Sequence, residues 1–498
     1  MRKLSFLIFT CLLIFSEGKS QQIEIPVDTT VTTSHNVTIK GQKIAYTATT
    51  GMQPVWNDEG EPIASLFYTY YKRSGIKDDT NRPLVVSFNG GPGSASVWMH
   101  IAYTGPRVLK IDDEGFPVQP YGIKENPHSI LDIADIVYVN PVNTGYSRII
   151  EPENGEKRDR SQFFGVNADI SYLGKWLNTF VTRNSRWLSP KYLIGESYGT
   201  TRVSGLALEL QNSQWMYLNG VILVSPTEIG IDREGPVEVA NRLPYFAAAA
   251  WYHNTLAPEL QEMDLEAELL PRVEDYAINE LLPALIKGGF MEEEAKKEVA
   301  SKMSYYSGIS EKVILQNNLE VPFRSFWKEL LREKDGTTIG RLDSRYLGID
   351  RKEAGESPDY NAELTSWLHS FTPAINHYLG EELNFKTDLT YYMFGPVHPW
   401  DRSRNNTGEN LRQAMAQNPN LDVMIQSGYF DGATTYFNAK YSMWQLDPSG
   451  KMKDRLSFKG YRSGHMMYLR SEDLKNANDD IREFIINSLP GEGKAAKY

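Results

Sequence analysis

Ser197 stands in Gly195-Glu196-Ser197-Tyr198-Gly199, after the apolar run Tyr192-Leu193-Ile194 and before a helical pattern of Val203, Leu206, Ala207 and Leu210. A serine hydroxyl is a weak nucleophile until a base takes its proton, and a sharp strand-to-helix turn can present it. Glycine on either side suits so tight a turn, because a Cβ there collides with the backbone. The base and the acid that orients it follow in the chain as acid and then histidine, each after a late strand. Val423-Met424-Ile425 reads as a strand whose exit carries Asp431 between Gly428 and Gly432. Leu456 to Tyr461 reads as the last strand, and its exit, Ser463-Gly464-His465, holds the only histidine after Asp431. The chemistry follows from the types: Ser197 attacks a carbonyl carbon, His465 takes and returns the proton, and Asp431 holds the imidazole tautomer. Taken singly, Asp431 and His465 read as loop residues; their order and placement give them these roles.

The negative oxygen formed on attack needs backbone donors, one of them the amide after the nucleophile, here Tyr198. The other comes from a loop leaving an earlier strand. Leu84 to Phe88 runs into Asn89-Gly90-Gly91-Pro92-Gly93, a glycine-rich loop at that place.

These residues must be positioned by a sheet. Short apolar runs at Leu84 to Phe88, Ile136 to Val139, Tyr192 to Ile194, Val221 to Val224 and Val423 to Ile425 read as buried parallel strands. Val166, Ile170, Leu173, Leu177 and Phe180 recur at helical spacing between two of them. Upstream, Val37 and Ile39, then Ile44 and Tyr46, alternate around Lys40-Gly41-Gln42, and Ile63 to Lys72 is rich in aromatic and β-branched residues. These predict antiparallel strands at the sheet's start. From about 236 to 400 the pattern changes to helical stretches such as Met263 to Ile286, Glu292 to Met303 and Ser325 to Glu333. The expected organisation is a leader at 1–20, a first core part at 21–235, a helical insertion at 236–400 and a second core part at 401–498. The 498 residues suggest roughly three domains at about 150 residues each. One doubly wound α/β domain with an insertion accounts for them as well.

Composition narrows the function. Lys plus Arg number 52 against 63 Asp plus Glu, a net charge of −11, which argues against nucleic acid as a partner. Cys11 is the only cysteine, so an intramolecular disulfide and a cysteine-based metal or redox site are excluded. His253, His369, His377 and His398 show no ligand spacing, and no metal or organic cofactor is expected. Arg2 and Lys3 precede an apolar run from Leu4 to Phe15, which reads as a cleaved export signal, too short for the ~20 residues of a spanning helix. An acidic protein exported to the periplasm or beyond, without a membrane anchor, is the expectation.

The motifs together resemble the serine carboxypeptidase family of α/β-hydrolases, in a bacterial-type secreted form. Asn89-Gly90-Gly91-Pro92-Gly93-Ser94 is similar to its glycine-rich loop, Asn140 to Ser147 to its Pro-Val block, and Gly195-Glu196-Ser197-Tyr198 to its elbow. Gly428 to Asp431 and Gly464-His465-Met466 resemble the acid and histidine segments. The resemblance implies an α/β-hydrolase fold: a mostly parallel sheet with antiparallel N-terminal strands and a helical cap. It implies that Gly91 and Tyr198 donate the oxyanion amides, and that Asn89, Gly90 and Glu196 hold the C-terminal carboxylate of a peptide or protein substrate. It also implies that Met466 lines the pocket of the departing residue. Glu196 must then be protonated when it meets that carboxylate, since two bare carboxylates repel. Two positions depart from the family pattern: Tyr103-Thr104 precedes Gly105-Pro106 where a second glutamate is usual, and Tyr468 stands where proline is usual. The disulfides of many members are absent. A carboxypeptidase acting through an acyl-enzyme on Ser197 is the leading reading; an esterase or acyltransferase with the same residues, and a non-catalytic binding protein on the same fold, are the alternatives.

Overall fold

The computed structural model describes residues 24–403 and 405–489, with 491, 493, 495 and 497 of the tail. The expected export signal and Cys11 lie outside the described residues.

Alternation builds the first strands. In β1 (Thr29–Ile39) and β2 (Gln42–Trp56), Val37, Ile39, Ile44 and Tyr46 are buried while Thr38 and Lys43 between them face solvent. Lys40 and Gly41 join the strands in the left-handed region (φ 46° and 80°), the pairing a two-residue hairpin turn favours because its twist matches the strands. β3 (Pro62–Arg73) continues the antiparallel sheet.

The central strands are buried on both faces, as unbroken apolar runs require: β4 (Leu84–Phe88), β5 (Asp135–Val139), β6 (Lys191–Glu196) and β7 (Gly220–Val224). β8 (Asp422–Gly428) and β9 (Leu456–Tyr461) complete the order β1-β2-β3-β5-β4-β6-β7-β8-β9, parallel from β5 onward. This is the α/β-hydrolase fold. β7 and β8 pair directly, Val221 opposite Val423, although nearly two hundred residues of chain separate them.

Successive side chains of a strand pack into opposite layers. Leu84, Val86, Val137, Leu193, Leu223 and Val423 meet α1 (Val166–Arg183) and α2 (Tyr198–Ser213) on one face. Val85, Ile136, Ile194, Ile222 and Met424 meet the other layer, whose last helix, α7 (Ser471–Ser488), contributes Leu474, Ala477, Ile481 and Ile485.

Between β7 and β8 the chain divides. Residues 236–331 form a second cluster around α3 (Pro236–Tyr252) and α4 (Glu293–Ser307), which Ile339 and, from the segment after β8, Tyr429, Phe430, Tyr436 and Phe437 join. The stretch between these helices carries two π turns, Leu265–Leu269 and Ala277–Leu281. Each lies just ahead of Pro271 or Pro283, which has no amide hydrogen to offer the helix. α5 (Ala362–His377) instead packs Trp367, Phe371, Ala374 and Ile375 into the core under the sheet. α6 (Thr407–Gln417) returns the chain to the opposite face beside α2.

Far from the strand exits, Asp135 is fully buried between Arg82 (Nε to Oδ1, 2.7 Å) and Arg186 (Nη1 to Oδ2, 2.6 Å). Its carboxylate joins the starts of β4, β5 and β6, and removing it strands two guanidinium groups in the interior. At the other end, Asn89, Asn140, Ser197, Ser225, Asp431 and His465 all lie in the turns or loops that follow strands. Ligands of open α/β sheets bind at such carboxyl ends.

Candidate active site

Ser197 is the single residue between β6 and α2, with φ 57° and ψ −127°. A side chain held there costs of order 1–3 kcal/mol, and the surrounding glycines make the turn feasible. A Cβ on Gly195 would lie 2.2 Å from the carbonyl oxygen of Gly199, and one on Gly199 would lie 2.7 Å from that of Phe88. The Ser197 amide bonds the Val224 carbonyl of β7 at 2.9 Å, so the elbow is fixed to the neighbouring strand.

Asp431 and His465 come from the two strand exits beyond it. His465 Nδ1 is 2.7 Å from Asp431 Oδ2. Asp431 Oδ1 accepts from the amides of Ala433 (2.8 Å) and Thr434 (3.1 Å), and Oδ2 from the Thr434 hydroxyl (2.7 Å). The Ser225 hydroxyl holds the His465 carbonyl at 2.8 Å. Burial pulls the His465 imidazole down, but the directly bonded Asp431 carboxylate outweighs it and leaves the pKa above 6.5. That is the polarity a general base needs, since the imidazolium formed on proton transfer is the stabilised state.

A strap of bends and a turn, Arg341 to Ser344, ties both exits together. The His465 amide bonds the Leu342 carbonyl at 2.6 Å, the Gly432 amide bonds that of Arg341 at 3.0 Å, and the Ser344 amide bonds that of Phe430 at 3.0 Å. Glu363, at the start of α5, accepts from the Leu342 amide at 2.9 Å. Burial pushes its carboxyl up to about 7.

The glycine-rich loop packs directly on the elbow: a Cβ on Gly90 would sit 2.4 Å from the Tyr198 nitrogen and 2.7 Å from the Glu196 carbonyl oxygen. Only a glycine lets the two backbones approach this closely. From α2, the buried Arg202 donates to the Asn89 carbonyl (2.6 Å) while its Nε is held by Asp169 of α1 at 2.7 Å. The loop is thereby locked to the helix that starts at the nucleophile. Asn140 adds a second brace, its Oδ1 accepting from the Ser96 amide at 2.9 Å.

Glu196 is buried beside the nucleophile, and its two oxygens have separate donors. Asn89 Nδ2 reaches Oε1 at 2.9 Å, and the Tyr468 hydroxyl reaches Oε2. Burial pushes the carboxyl up to about 7, against the downward pull of His465 and of the bonds from Tyr468 and Asn89. Tyr468 stacks on Tyr103, ring centroids 4.5 Å apart and planes 12° from parallel. The Tyr103 hydroxyl turns away to Gln426 Oε1 at 2.6 Å. The two positions that depart from the family pattern are therefore one unit: the first supplies a flat surface and the second a hydroxyl for Glu196.

A cavity of about 200 Å³ opens over these groups, lined by Gly90, Gly91, Glu196, Ser197, His465 and Met466 and walled by Trp98, Leu364, Trp367 and Phe394. Ser197, His465 and Glu196 thus share one cavity with Gly91, and Tyr198 lies just across Ser197. Asn89 is behind Glu196. Among the described residues no cluster of His, Cys, Asp and Glu forms a metal site, and no helix is long and apolar enough to cross a membrane.

The strap, the Arg202–Asp169 pair, the aromatic wall and the donor role of Tyr468 escape sequence reasoning. Each depends on contact between distant segments; the only local sign was that Tyr468 follows the histidine motif at an unusual position.

A serine carboxypeptidase family model matches residues 42–271. That segment contains Asn89, Gly90, Gly91, Glu196, Ser197 and Tyr198, but neither Asp431 nor His465. The Arabidopsis thaliana protein serine carboxypeptidase-like 36 is 29% identical over 168 residues, 33% of this chain and 32% of its own length. The retinoid-inducible serine carboxypeptidase of Homo sapiens is 29% identical over 148 residues, 29% of this chain and 28% of its own. The chain spans about a third of the length of these curated relatives. In three dimensions it is similar to Kex1(delta)p, a prohormone-processing carboxypeptidase from Saccharomyces cerevisiae, with a TM-score of 0.51 at 12% identity over 89% of this chain and 91% of that one. At that identity the likeness concerns the fold. On residues 42–271, which carry the nucleophile elbow and the glycine-rich loop packed against it, this chain is similar to the serine carboxypeptidase family.

Proposed function

We propose that the protein is an exported serine carboxypeptidase that removes C-terminal residues from peptides through an acyl-enzyme on Ser197. The observation that carries this reading is Glu196, a buried carboxyl beside the nucleophile that faces the cavity and forms no ion pair among the described residues. An esterase has no need of such a group; a free substrate carboxylate does, as a partner that can share a proton. Export rests on the basic residues and apolar run at the N-terminus.

In the proposed reaction the substrate carboxylate sits against Asn89, Gly90 and Glu196, with the departing side chain against Met466. Ser197 Oγ attacks the last peptide carbonyl while His465 takes its proton, and the amides of Gly91 and Tyr198 receive the oxyanion. Collapse breaks the C–N bond as His465 protonates the leaving amine, and water then hydrolyses the acyl-enzyme with His465 as base. N-blocked dipeptides are expected to release their free C-terminal amino acid, and the same dipeptides with amidated C-termini to survive. Equal cleavage of both, or cleavage of simple esters alone, would replace this reading by the esterase one.

The position of Glu196 gives a pH signature. Capture needs it protonated, which holds below about 7 and is lost above. The peptide KM is then expected to rise about tenfold per pH unit on the alkaline side, while ester KM stays flat. Tyr468→Phe removes a bond that favours the carboxylate, so the Glu196 pKa rises and the KM limb moves to higher pH. Glu196→Gln removes the limb. KM measured against pH for a dipeptide and its ester checks both; a limb unmoved by either substitution dissociates Glu196 from carboxylate capture.

A further inference from the structure

The 200 Å³ cavity accounts for only one side of Ser197. A second cavity, of about 320 Å³, shares with it Gly91, Ser197, Arg341 and Leu342, and none of Glu196, Trp98 or Met466. The two meet at the nucleophile under the strap. A peptide whose carboxylate lies at Glu196 must cross Ser197 and continue into the second cavity, which therefore receives the residues on the acyl side of the bond.

The two walls differ in chemistry. The leaving side is aromatic. The acyl side is lined by Thr201, Thr227, Asn405 and three arginines, Arg233, Arg341 and Arg402, against a single carboxylate, Glu228. No salt bridge neutralises any of the three arginines among the described residues, although the chain as a whole carries −11. Arg233 Nη1 is buried without a hydrogen-bond partner, an arrangement that leaves a charged donor unsatisfied until something supplies an acceptor. Past Arg341 and Ala433 a third cavity of about 630 Å³ is lined by Arg324, by Asp359 and by Arg242, the last already paired with Glu238 at 2.9 Å.

We propose that this acyl-side cavity is a carboxylate-binding subsite and that the enzyme selects peptides with an acidic side chain immediately upstream of the bond it cuts. The inference rests on the carboxypeptidase reading for its direction along the peptide. A local excess of positive charge within an acidic protein draws anionic segments to the mouth of the cleft and repels them elsewhere. Guanidinium groups pair with carboxylates through parallel hydrogen bonds that a neutral amide cannot reproduce in strength.

The test uses N-blocked X-Leu dipeptides and the matching N-blocked X methyl esters, with X as Glu, Gln or Lys. At low salt kcat/KM is expected to run Glu over Gln by at least about tenfold, and Gln over Lys. The Glu-to-Gln ratio should fall toward one in 0.5 M sodium chloride, because exposed pairs are screened at that ionic strength. It should also fall in the Arg233→Gln/Arg402→Gln double variant. A ratio at or below one at low salt, or one untouched by both salt and the double substitution, overturns the subsite. If the peptides resist while the esters are cleaved, the carboxypeptidase reading fails and the ester ratio decides the subsite by itself. Absence of turnover on all six substrates overturns both.

Discussion

Ser197→Ala is expected to lower kcat for dipeptide hydrolysis by about a millionfold, leaving only the rate that binding and the oxyanion amides supply, roughly 10³ to 10⁴ above water. His465→Ala should cost a similar factor, and the double variant little more than either single one, because the two groups act in one proton transfer and their effects are not additive. The fold should survive: alanine occupies the same strained backbone position, φ 57°, with no larger side chain. Ser197→Gly relieves that strain and is expected to raise the melting temperature while abolishing activity as fully. Single-turnover kinetics with thermal melts of the four variants check these outcomes. Residual activity within a hundredfold of wild type would remove Ser197 from the nucleophile's role, and a collapsed melting temperature would show that the loss came from unfolding.

The elements that carry these residues were readable where a local rule governs them. Central strands such as Val221 to Val224 announce themselves because a strand covered on both faces must be apolar throughout. The elbow is readable because two glycines and a serine at fixed spacing answer a steric demand confined to five residues. Asp431 could be placed because it follows such a strand, and His465 because it is the only histidine after Asp431 and follows the last strand, a half-buried edge strand. The strap from Arg341 to Ser344 had no such sign. Its role lies in backbone bonds to Gly432, His465 and Phe430, and backbone bonds impose no side-chain pattern. Residues 236 to 400 looked alike as helical sequence, yet Phe326 packs within the inserted cluster and Phe371 under the sheet; an amphipathic helix shows that it has an apolar face without naming what covers it. Tyr103 and Tyr468 are the sharpest case. Apart they read as two unrelated departures from a motif, and only their stacking shows that a tyrosine hydroxyl now serves Glu196.

Asp431→Asn is expected to cost about 10⁴ in kcat with KM changed only a few-fold, and the reason is the geometry around the carboxylate. Oδ1 accepts from two backbone amides, Ala433 and Thr434, which cannot turn away. The asparagine carbonyl oxygen must therefore stay at that position, and its NH₂ is forced to the place of Oδ2, facing His465 Nδ1 and the Thr434 hydroxyl. A donor now faces Nδ1, so the neutral ring adopts the tautomer with hydrogen on Nε2. The nitrogen that should take the serine proton already carries one. Loss of the carboxylate also removes the influence that raises the His465 pKa, so the acidic limb of whatever activity remains should shift to lower pH. Asp431→Ala lacks the misplaced donor and leaves both tautomers open; it is expected to retain more activity than Asp431→Asn despite the larger cavity. If the asparagine variant is instead the more active of the two, the tautomer argument fails, and Asp431 acts on His465 chiefly by filling space.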